Sequence, residues 1–359
     1  TDSTTAIQKS IDMAYDGYMV CFFPSGSYLV SRQLVCRQPR DNMTTVHVLV
    51  GSSQSGKRPV VRLADSSVGF HDEASPRAVF KFQGFDAQGK ENCPATYNQV
   101  FRGIDVQLGQ GNPGAIGVYM HAAQGCTIQD VSISADGPFH AGIRHMVGSG
   151  AGYENIEVIG GKHAIDAEAD VAKHPLVAGL RAIGQTEEII KSDTATVLTV
   201  VGMYAEKERG PCFTLQKKPW RKECAGHLSL VDAVVEFTSP GQTLIDNRDR
   251  SVFLKNVYVR QAGRLVANAK ENDPVASGNP HGWSHVEEYS YYHRPSSRLI
   301  DGRGPEPNDP AFAMIKPSGV SNDDVPSNMI ARHLWVETQF PHFESSNVLS
   351  VTDVAFGAI

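Results

Sequence analysis

Acidic side chains stand at alternate positions in one short stretch of the chain, as Asp166, Glu168 and Asp170. Alternate residues of a β-strand point the same way, so their repulsion would raise the pKa of at least one toward that of a general acid. Glycoside hydrolysis uses such paired carboxylates. We therefore predict Asp166 and Glu168 as acid and as base or nucleophile, with Asp246 in reserve. An exposed acidic loop or a divalent-ion site is the alternative.

Basic residues near this stretch suit a different reaction. A lyase acting on a uronate polymer needs a cation to neutralise the sugar carboxylate and a base to remove the proton beside it. Arg144, His145 and Lys191 are the main candidates, with Lys173 and His174. Acidic residues outnumber basic ones by 39 to 33, which mildly disfavours a polyanionic substrate, although a groove can be locally basic. Hydrolysis is the leading prediction and β-elimination the alternative.

The residues expected to bind substrate are histidines, a lysine and a tryptophan: His121, His140, His163, Lys191 and Trp220. Aromatic side chains stack on sugar rings but also pack loops, so Trp220 admits both roles. It stands in a basic cluster, 217–222, that is either a solvated loop or a subsite for an anionic sugar. His140 has the alternative of a turn residue bonded to the backbone. No cofactor and no metal ligands are predicted, and a divalent cation such as calcium is left open.

The elements that must position these residues repeat along the chain. A polar residue or glycine before an alternating apolar pair recurs at steps of 27, 25, 24, 53 and 24 residues, at Ile104, Val131, Ile156, Leu180, Ala233 and Val257. The step of 53 is close to two repeats, and the missing copy falls in 200–204. A small residue followed by an apolar one, as in Gly142-Ile143, marks a second strand in most copies. Repeats of this length without a helix predict stacked β coils.

A β-helix binds its polymer along one outer face, so polar residues at one place in successive coils should form a row. One coil advances the row by about 5 Å, which brings carboxylates on adjacent coils to the separations that glycosidases use. The place just after the second strand is occupied by His121, then Arg144 and His145, then Asp166 and Glu168, then Lys191 or Asp193, then Gln216, then Asp246 and Asn247.

The two ends of the chain differ from this repeat. A short amphipathic helix is predicted within the first fifteen residues, with Ser3 or Thr4 as its cap and Ile7 and Ile11 on its apolar face. Beyond about residue 268 the repeat fades into polar and proline-containing stretches. The predicted fold is all-β: a single right-handed parallel β-helix, or solenoid, with an N-terminal capping helix. One domain, 1–359, would comprise a cap (1–35), coils (36–268) and long loops with the last coils (269–359).

Composition disfavours several classes of protein. The formal net charge of −6 argues against a nucleic-acid partner, and the lack of any run of eighteen apolar residues argues against a membrane span. The six cysteines contain no CxxC pair, which leaves a zinc ribbon unsupported, and a disulfide between Cys212 and Cys224 is left open. The chain opens without the pattern of a secretory signal, as a mature secreted protein also would.

Two segments resemble a known family. Residues 2–8, Asp-Ser-Thr-Thr-Ala-Ile-Gln, followed by 23–30, Phe-Pro-Ser-Gly-Ser-Tyr-Leu-Val, resemble the entry signature of the pectate-lyase-like β-helix superfamily. The stretch 117–161 is similar to the β-helices of exo-acting β-1,3-glucanases, which pair two such helices where this chain has room for one. The superfamily includes uronate lyases, polygalacturonase-like hydrolases, glucanases and phage tailspikes. The resemblance implies a β-helix over 1–268 and a carbohydrate partner.

The predicted function is therefore a secreted enzyme, extracellular or periplasmic, that cleaves glycosidic bonds of a polysaccharide. A glycoside hydrolase is favoured. A polysaccharide lyase is the first alternative, and a non-catalytic carbohydrate-binding or tailspike-like protein is the second. A polysaccharide is the partner expected, without nucleic acid or membrane, and the oligomeric state is left open. Much of this rests on analogy at the level of the fold.

Overall fold

A computed structural model describes residues 1–39, 46–52, 56–86, 88–91, 96–148, 150–167, 175–192, 197–215, 226–248, 250–268, 276–291, 313–317 and 320–334. A single helix, α1 (Thr4–Asp16), is found in them, with 3₁₀ turns at Asn322–Asp324 and Ala331–His333. The strands, in chain order, are β1 (Cys21–Phe23), β2 (Ser27–Val30), β3 (Leu34–Pro39), β4 (Val48–Gly51), β5 (Val60–Leu63), β6 (Arg77–Phe85), β7 (Val100–Arg102), β8 (Asp105–Leu108), β9 (Ala115–His121), β10 (Thr127–Ala135), β11 (Ala141–Arg144), β12 (Gly152–Ile159), β13 (His163–Asp166), β14 (Leu176–Ile183), β15 (Ile190–Ser192), β16 (Val197–Lys207), β17 (Phe213–Leu215), β18 (His227–Phe237), β19 (Gln242–Asn247), β20 (Ser251–Arg260), β21 (Ala262–Asn268), β22 (Ala276–Ser277), β23 (Trp283–Tyr291) and β24 (Ala313–Pro317).

These strands form two long sheets. Sheet A runs β1-β4-β7-β10-β12-β14-β16-β18-β20-β23-β24, with β2, β5 and β8 joined beside β10. Sheet B runs β3-β6-β9-β11-β13-β15-β17-β19-β21-β22. Pairing is parallel from β1 to β20 in sheet A and from β3 to β21 in sheet B, and each coil of the chain adds one strand to each sheet. The fold is the predicted all-β solenoid, a parallel β-helix with an N-terminal helix.

The predicted repeat coincides with the register of sheet A. Val131, Ile156, Leu180, Met203, Ala233 and Val257 are successive register partners. Met203 is the missing copy and lies inside the predicted interval 200–204. The polar residue or glycine before each apolar pair has a positive φ, between 52° and 73° for Asp130, Asn155, Gly179, Gly202, Asp232 and Asn256. Glycine, asparagine and aspartate adopt this left-handed conformation most readily, which explains the residue types of the motif.

The residue with positive φ bends each long strand of sheet A into two segments. With the strand of sheet B, each coil therefore has three strand segments that surround the core. Inward side chains from successive coils form one continuous apolar cluster that extends from Ile7 to Tyr291. Burial of each aliphatic side chain stabilises such a core by about 1.5–3 kcal/mol. Cys212 is a buried free thiol within it. It therefore does not form the disulfide that the sequence left open.

Helix α1 packs against β1 and β3 and covers the first coil with Ile7, Ile11 and Ala14. Ser3 occupies the N-cap position but makes no cap bond through its side chain. Asp2 replaces it, because Asp2 Oδ1 accepts a hydrogen bond from the Thr4 amide at 2.8 Å. Hydrogen bonds from Ser31 and Thr4 lower the pKa of Asp2 to about 2.

The end of the described chain departs from the parallel coils. Strands β23 and β24 pair antiparallel beside β20, and β22 pairs antiparallel with β21. The segment 320–334, called here the C-terminal segment, lies against sheet A, where His333 Nε2 is 2.8 Å from Asp232 Oδ2. The division of the chain into cap, coils and late loops within one domain stays a prediction. Among the described residues no helix is long and apolar enough to cross a membrane.

Candidate functional site

Polar residues on successive coils of sheet B form a single row. The register partners are Lys81, Tyr119, Arg144, Asp166, Lys191, Thr214 and Asp246, called here the sheet B row. The residues just before the central members, among them Val118, Ile143 and Ile165, are fully buried in the core. Successive side chains of a strand point to opposite faces, so the row lies on the outer side of the coil stack.

The row differs from its prediction at several positions, and Glu168, Asp193 and Gln216 of the predicted row lie outside the described residues. Arg144, Asp166, Lys191 and Asp246 are members, whereas His121 is the register partner of Gln83 and lies two residues beyond Tyr119. Sequence reasoning missed Tyr119, Thr214 and Lys81. Most members of the row come directly after the buried apolar residue of the second strand in their coil. The residue after Val118 is Tyr119, so applying this rule to the sequence would have found it.

Asp166 lies at the centre of the row and is almost inaccessible, with 1% of its surface exposed. Its Oδ2 is 2.9 Å from His140 Nε2 and 3.7 Å from Arg144 Nε. Burial favours a higher pKa, but the hydrogen bond from His140 and the charges of Lys191 and Arg144 outweigh it and hold the pKa of Asp166 well below its usual value. The pKa rise that was predicted for at least one acid of this stretch is therefore not found at Asp166. Glu168 and Asp170 lie outside the described residues.

His140 and His163 continue the polar group beyond Asp166. Their rings lie edge to face with centroids 5.9 Å apart. His163 is 1% exposed, and its Nδ1 lies 3.0 Å from the carbonyl oxygen of Glu188. Burial lowers the pKa of His163. The His140 side chain thus bonds to a carboxylate, and its backbone is bonded to Ala115 and His163, so its part in substrate binding stays a prediction.

One group among the described residues has the spacing of a metal site. Ligand atoms of His163, Glu187 and Glu188 all lie within 4.8 Å of one another. The Lys162 ammonium lies 3.6 Å from a Glu187 oxygen and competes with a cation there. The group mixes nitrogen with oxygen, whereas calcium prefers oxygen ligands throughout. The predictions on metal and cofactor stay predictions.

An aromatic group flanks the other side of the row. The rings of His121 and His145 stack with centroids 4.4 Å apart, and the Tyr119 ring meets His145 edge-on at 4.6 Å. Lys81 Nζ lies 5.1 Å from the centre of the Tyr119 ring and also pairs with Glu91. His145 has a φ of 70°, and its carbonyl accepts a hydrogen bond from the Tyr153 hydroxyl at 2.8 Å. His121 and His145 therefore adjoin the row although neither is in its register.

Asp246 stands apart from the other predicted catalytic residues. It is three coils from Asp166, a distance of about 14 Å at a strand spacing of about 4.8 Å, which exceeds the ~9.5 Å limit for paired glycosidase carboxylates. Its carboxylate pairs instead with Arg248 at 2.7 Å. Trp220 lies outside the described residues, as does Glu168. The roles of all these residues stay predictions.

A parallel β-helix with a continuous polar row on one outer face defines the class of the protein, a parallel β solenoid. The chain belongs to the family described as rhamnogalacturonase A/epimerase, pectate lyase-like, whose model matches residues 1–208. This confirms the resemblance seen in the sequence and relates the protein to polysaccharides. No curated protein matches the sequence.

Solved structures with similar folds include ORF18 of Geobacillus virus E2, with 11% identity, a TM-score of 0.38 and coverage of 82% of this chain. This chain spans 65% of the length of that protein. Another is PfbA, a surface adhesin of Streptococcus pneumoniae, with 10% identity, a TM-score of 0.34 and coverage of 82% of this chain and 95% of PfbA.

Proposed function

We propose that this protein is an extracellular or periplasmic enzyme that cleaves an acidic polysaccharide on the outer face of sheet B by β-elimination. Differences in exposure along the sheet B row carry the proposal. Asp166 is 1% exposed, whereas Tyr119, Arg144 and Lys191 are partly exposed. At the centre of the row, the groups that a polymer can touch are therefore two cations and a phenol, and the Asp166 carboxylate is buried behind them, while the partly exposed Asp246 carboxylate lies three coils away.

These accessible groups match the needs of a uronate lyase. Arg144 and Lys191 flank Asp166 in the row, and their charges would neutralise the sugar carboxylate and acidify the proton on the adjacent carbon. Tyr119 is the proposed base, and the Lys81 ammonium lies 5.1 Å from the centre of its ring. The phenolate takes that proton, a carbon–carbon double bond forms, and the bond to the glycosidic oxygen breaks. The departing oxygen takes a proton from water.

Asp166 acts in this proposal as a positioning residue. Its Oδ2 fixes His140 and attracts Arg144, and its negative charge offsets the mutual repulsion of Arg144 and Lys191. The description of the family supports an acidic polymer, because it names a rhamnogalacturonase and a likeness to pectate lyase. Both names refer to polymers that contain galacturonate.

Hydrolysis, which the sequence favours, is the second candidate. An ionised Asp166 suits the base or nucleophile of a glycosidase, and Glu168 follows it by two residues in the sequence. The rhamnogalacturonase in the family description also supports this reaction. The 1% exposure of Asp166 counts against it, because a nucleophile must touch the sugar.

One assay separates the candidates. The protein is incubated with polygalacturonate, rhamnogalacturonan, alginate and a neutral β-glucan, and new reducing ends are measured together with the ultraviolet absorbance of unsaturated uronate. We expect both signals to rise on an acidic polymer and neither on the glucan, and Arg144→Ala to abolish both. If reducing ends form without a rise in ultraviolet absorbance, the reaction is hydrolysis and not β-elimination. Binding of a polymer without either signal would make the protein a non-catalytic binder and overturn the proposal.

A further inference from the structure

A cavity lies on sheet A, away from the sheet B row. Its volume is about 540 Å³, within the range of ~300–1,000 Å³ typical of small-molecule sites. The floor comes from β14, β16, β18, β20 and β23, and the C-terminal segment forms the opposite wall. The principal side chains of the floor are Arg181, Tyr204, Glu236, Arg260 and Trp283.

The polar side chains of this cavity hold one another in place. The Tyr204 hydroxyl donates to Glu236 Oε1 at 3.0 Å, and Arg260 Nη1 lies 3.3 Å from Glu236 Oε2. The Arg181 guanidinium lies over the Tyr204 ring at 5.0 Å, and its Nε pairs with Glu157 at 3.1 Å. Burial raises the pKa of Tyr204 to about 12, so the hydroxyl keeps its proton at neutral pH. The cavity is therefore preorganised.

The guanidinium groups indicate what the cavity would bind. Arginine presents five N–H donors in a planar fork that matches a carboxylate, and each arginine here uses a single nitrogen in its ion pair. The side chains of Arg181 and Arg260 are 50% and 43% exposed. Among the described residues that line the cavity, Arg181 and Arg260 are accompanied by Glu236, and Glu157, which pairs with Arg181, lies outside the lining. The Tyr204 ring and Trp283 supply the aromatic surface that sugar rings pack against.

The C-terminal segment fixes the opposite wall of the cavity. Trp283 Nε1 donates to Asn322 Oδ1, and His333 and Arg332 both reach Asp232. Met329 packs with Val234, Tyr258 and Trp283 in a small apolar cluster of its own. The wall is therefore attached at both ends of the cavity, which suits a bounded ligand rather than an open polymer track.

We propose that this cavity is a second carbohydrate site, which binds a short acidic oligosaccharide through Arg181 and Arg260, separately from the sheet B row. It would hold chain fragments beside the coils while the row acts on polymer. The inference goes beyond the proposed function, because cavity binding does not require that the row cleaves anything.

Calorimetric titration with trigalacturonic acid tests the proposal. We expect two sites in the wild type and one in Arg144→Ala, whose row is altered. In Arg181→Gln with Arg260→Gln the cavity site should weaken by about 10-fold or more, as expected for lost charge-assisted hydrogen bonds. Arg58→Gln, which removes an arginine paired with Asp105 at 2.8 Å elsewhere on sheet A, is the matched control and should keep both sites.

The outcomes separate this inference from the proposed function. The wild type could instead show a single site that is lost in the cavity variants and kept in Arg144→Ala. This result would support binding in the cavity and count against binding at the sheet B row. Unchanged titration in the cavity variants, with unfolding temperatures equal to that of the wild type, would overturn the inference. Equal binding of the neutral trisaccharide maltotriose would overturn the acidic ligand class. The single variant Tyr204→Phe, which retains the ring, checks the result if the double variant fails to fold.

Discussion

Arg144 and Asp166 are register partners on neighbouring coils, and one carboxylate oxygen, Asp166 Oδ2, lies 3.7 Å from Arg144 Nε and 2.9 Å from His140 Nε2. Asp166 therefore contacts a histidine and an arginine at once while it remains 1% exposed. Its burial makes this carboxylate a determinant of stability as well as of the site.

Replacement of Asp166 by asparagine should destabilise the protein strongly. The substitution leaves Arg144 and Lys191 close together without a counter-charge, and loss of one partner of a buried pair costs about 3–5 kcal/mol. Urea unfolding measures the change. Asp246→Asn is the matched control, because its carboxylate is 28% exposed and pairs with Arg248, so about 1 kcal/mol or less should be lost. Equal losses in the two variants would contradict the role of burial.

Replacement of Tyr119 by phenylalanine should reduce cleavage of the acidic polymer without changing stability. Loss of a general base lowers kcat by about 10²- to 10⁴-fold, while the ring and its contact with His145 remain. Initial rates of unsaturated uronate formation measure the effect. The control is Tyr28→Phe, whose hydroxyl donates to the Pro24 carbonyl at 2.8 Å near the first coil. Full activity in Tyr119→Phe would remove Tyr119 as the base.

Stability should fall as the pH drops below the ordinary pKa of histidine. Burial lowers the pKa values of His163 and His47 below 6.5, so the unfolded chain binds more protons than the folded chain in this window. The free energy of unfolding then decreases from about pH 6.5 downward. A further decrease begins near pH 4, because the pKa of Asp166 is lowered from 3.8 and the folded state resists its protonation.

Urea unfolding between about pH 7 and pH 5 tests the histidine contribution. His163→Gln should show a smaller loss of stability over this interval than the wild type. His71→Gln, a substitution at an exposed side chain, is the control and should behave as the wild type does. A wild-type pH dependence in His163→Gln would show that this histidine is not protonated on unfolding.

The contact between the C-terminal segment and sheet A can be tested with two glycines. Gly202 and Gly184 have φ values of 69° and 74°, so alanine is strained at both by about 1–2 kcal/mol. A Cβ at Gly202 would also lie 2.9 Å from the Met329 carbonyl, whereas a Cβ at Gly184 has nothing within 4 Å. Gly202→Ala should therefore cost more than Gly184→Ala in thermal unfolding. An equal cost would argue against the docking of this segment.

The fold could be predicted from the sequence because its signals are local and repeated. Every coil needs a residue with left-handed backbone conformation at the bend of its sheet A strand. Asp130, Asn155 and Gly179 therefore recur at steps that match the strand register. Even the missing copy at Met203 fell where the spacing required. The helix was also predicted, although its cap bond comes from Asp2 rather than from Ser3 or Thr4.

The candidate site was harder to predict, because its properties arise between coils. The acidic stretch around Asp166 suggested mutual repulsion, but the pKa of Asp166 is set by His140, Arg144 and Lys191, which come from other strands. The cavity on sheet A depends on the C-terminal segment, whose residues show no repeat. Its contacts with Gly179 and Gly202 involve sequence separations above 100 residues, which no local pattern reports.

The antiparallel strands β23 and β24 have a consequence for self-association. A stack of parallel coils exposes unpaired backbone groups at its last strand, and another coil of the same direction could add there and start a fibre. Because β23 runs against β20 and β24 runs against β23, the direction of the strands reverses where the described part of the stack ends. At this edge a coil that runs parallel to β20 therefore does not meet a matching strand.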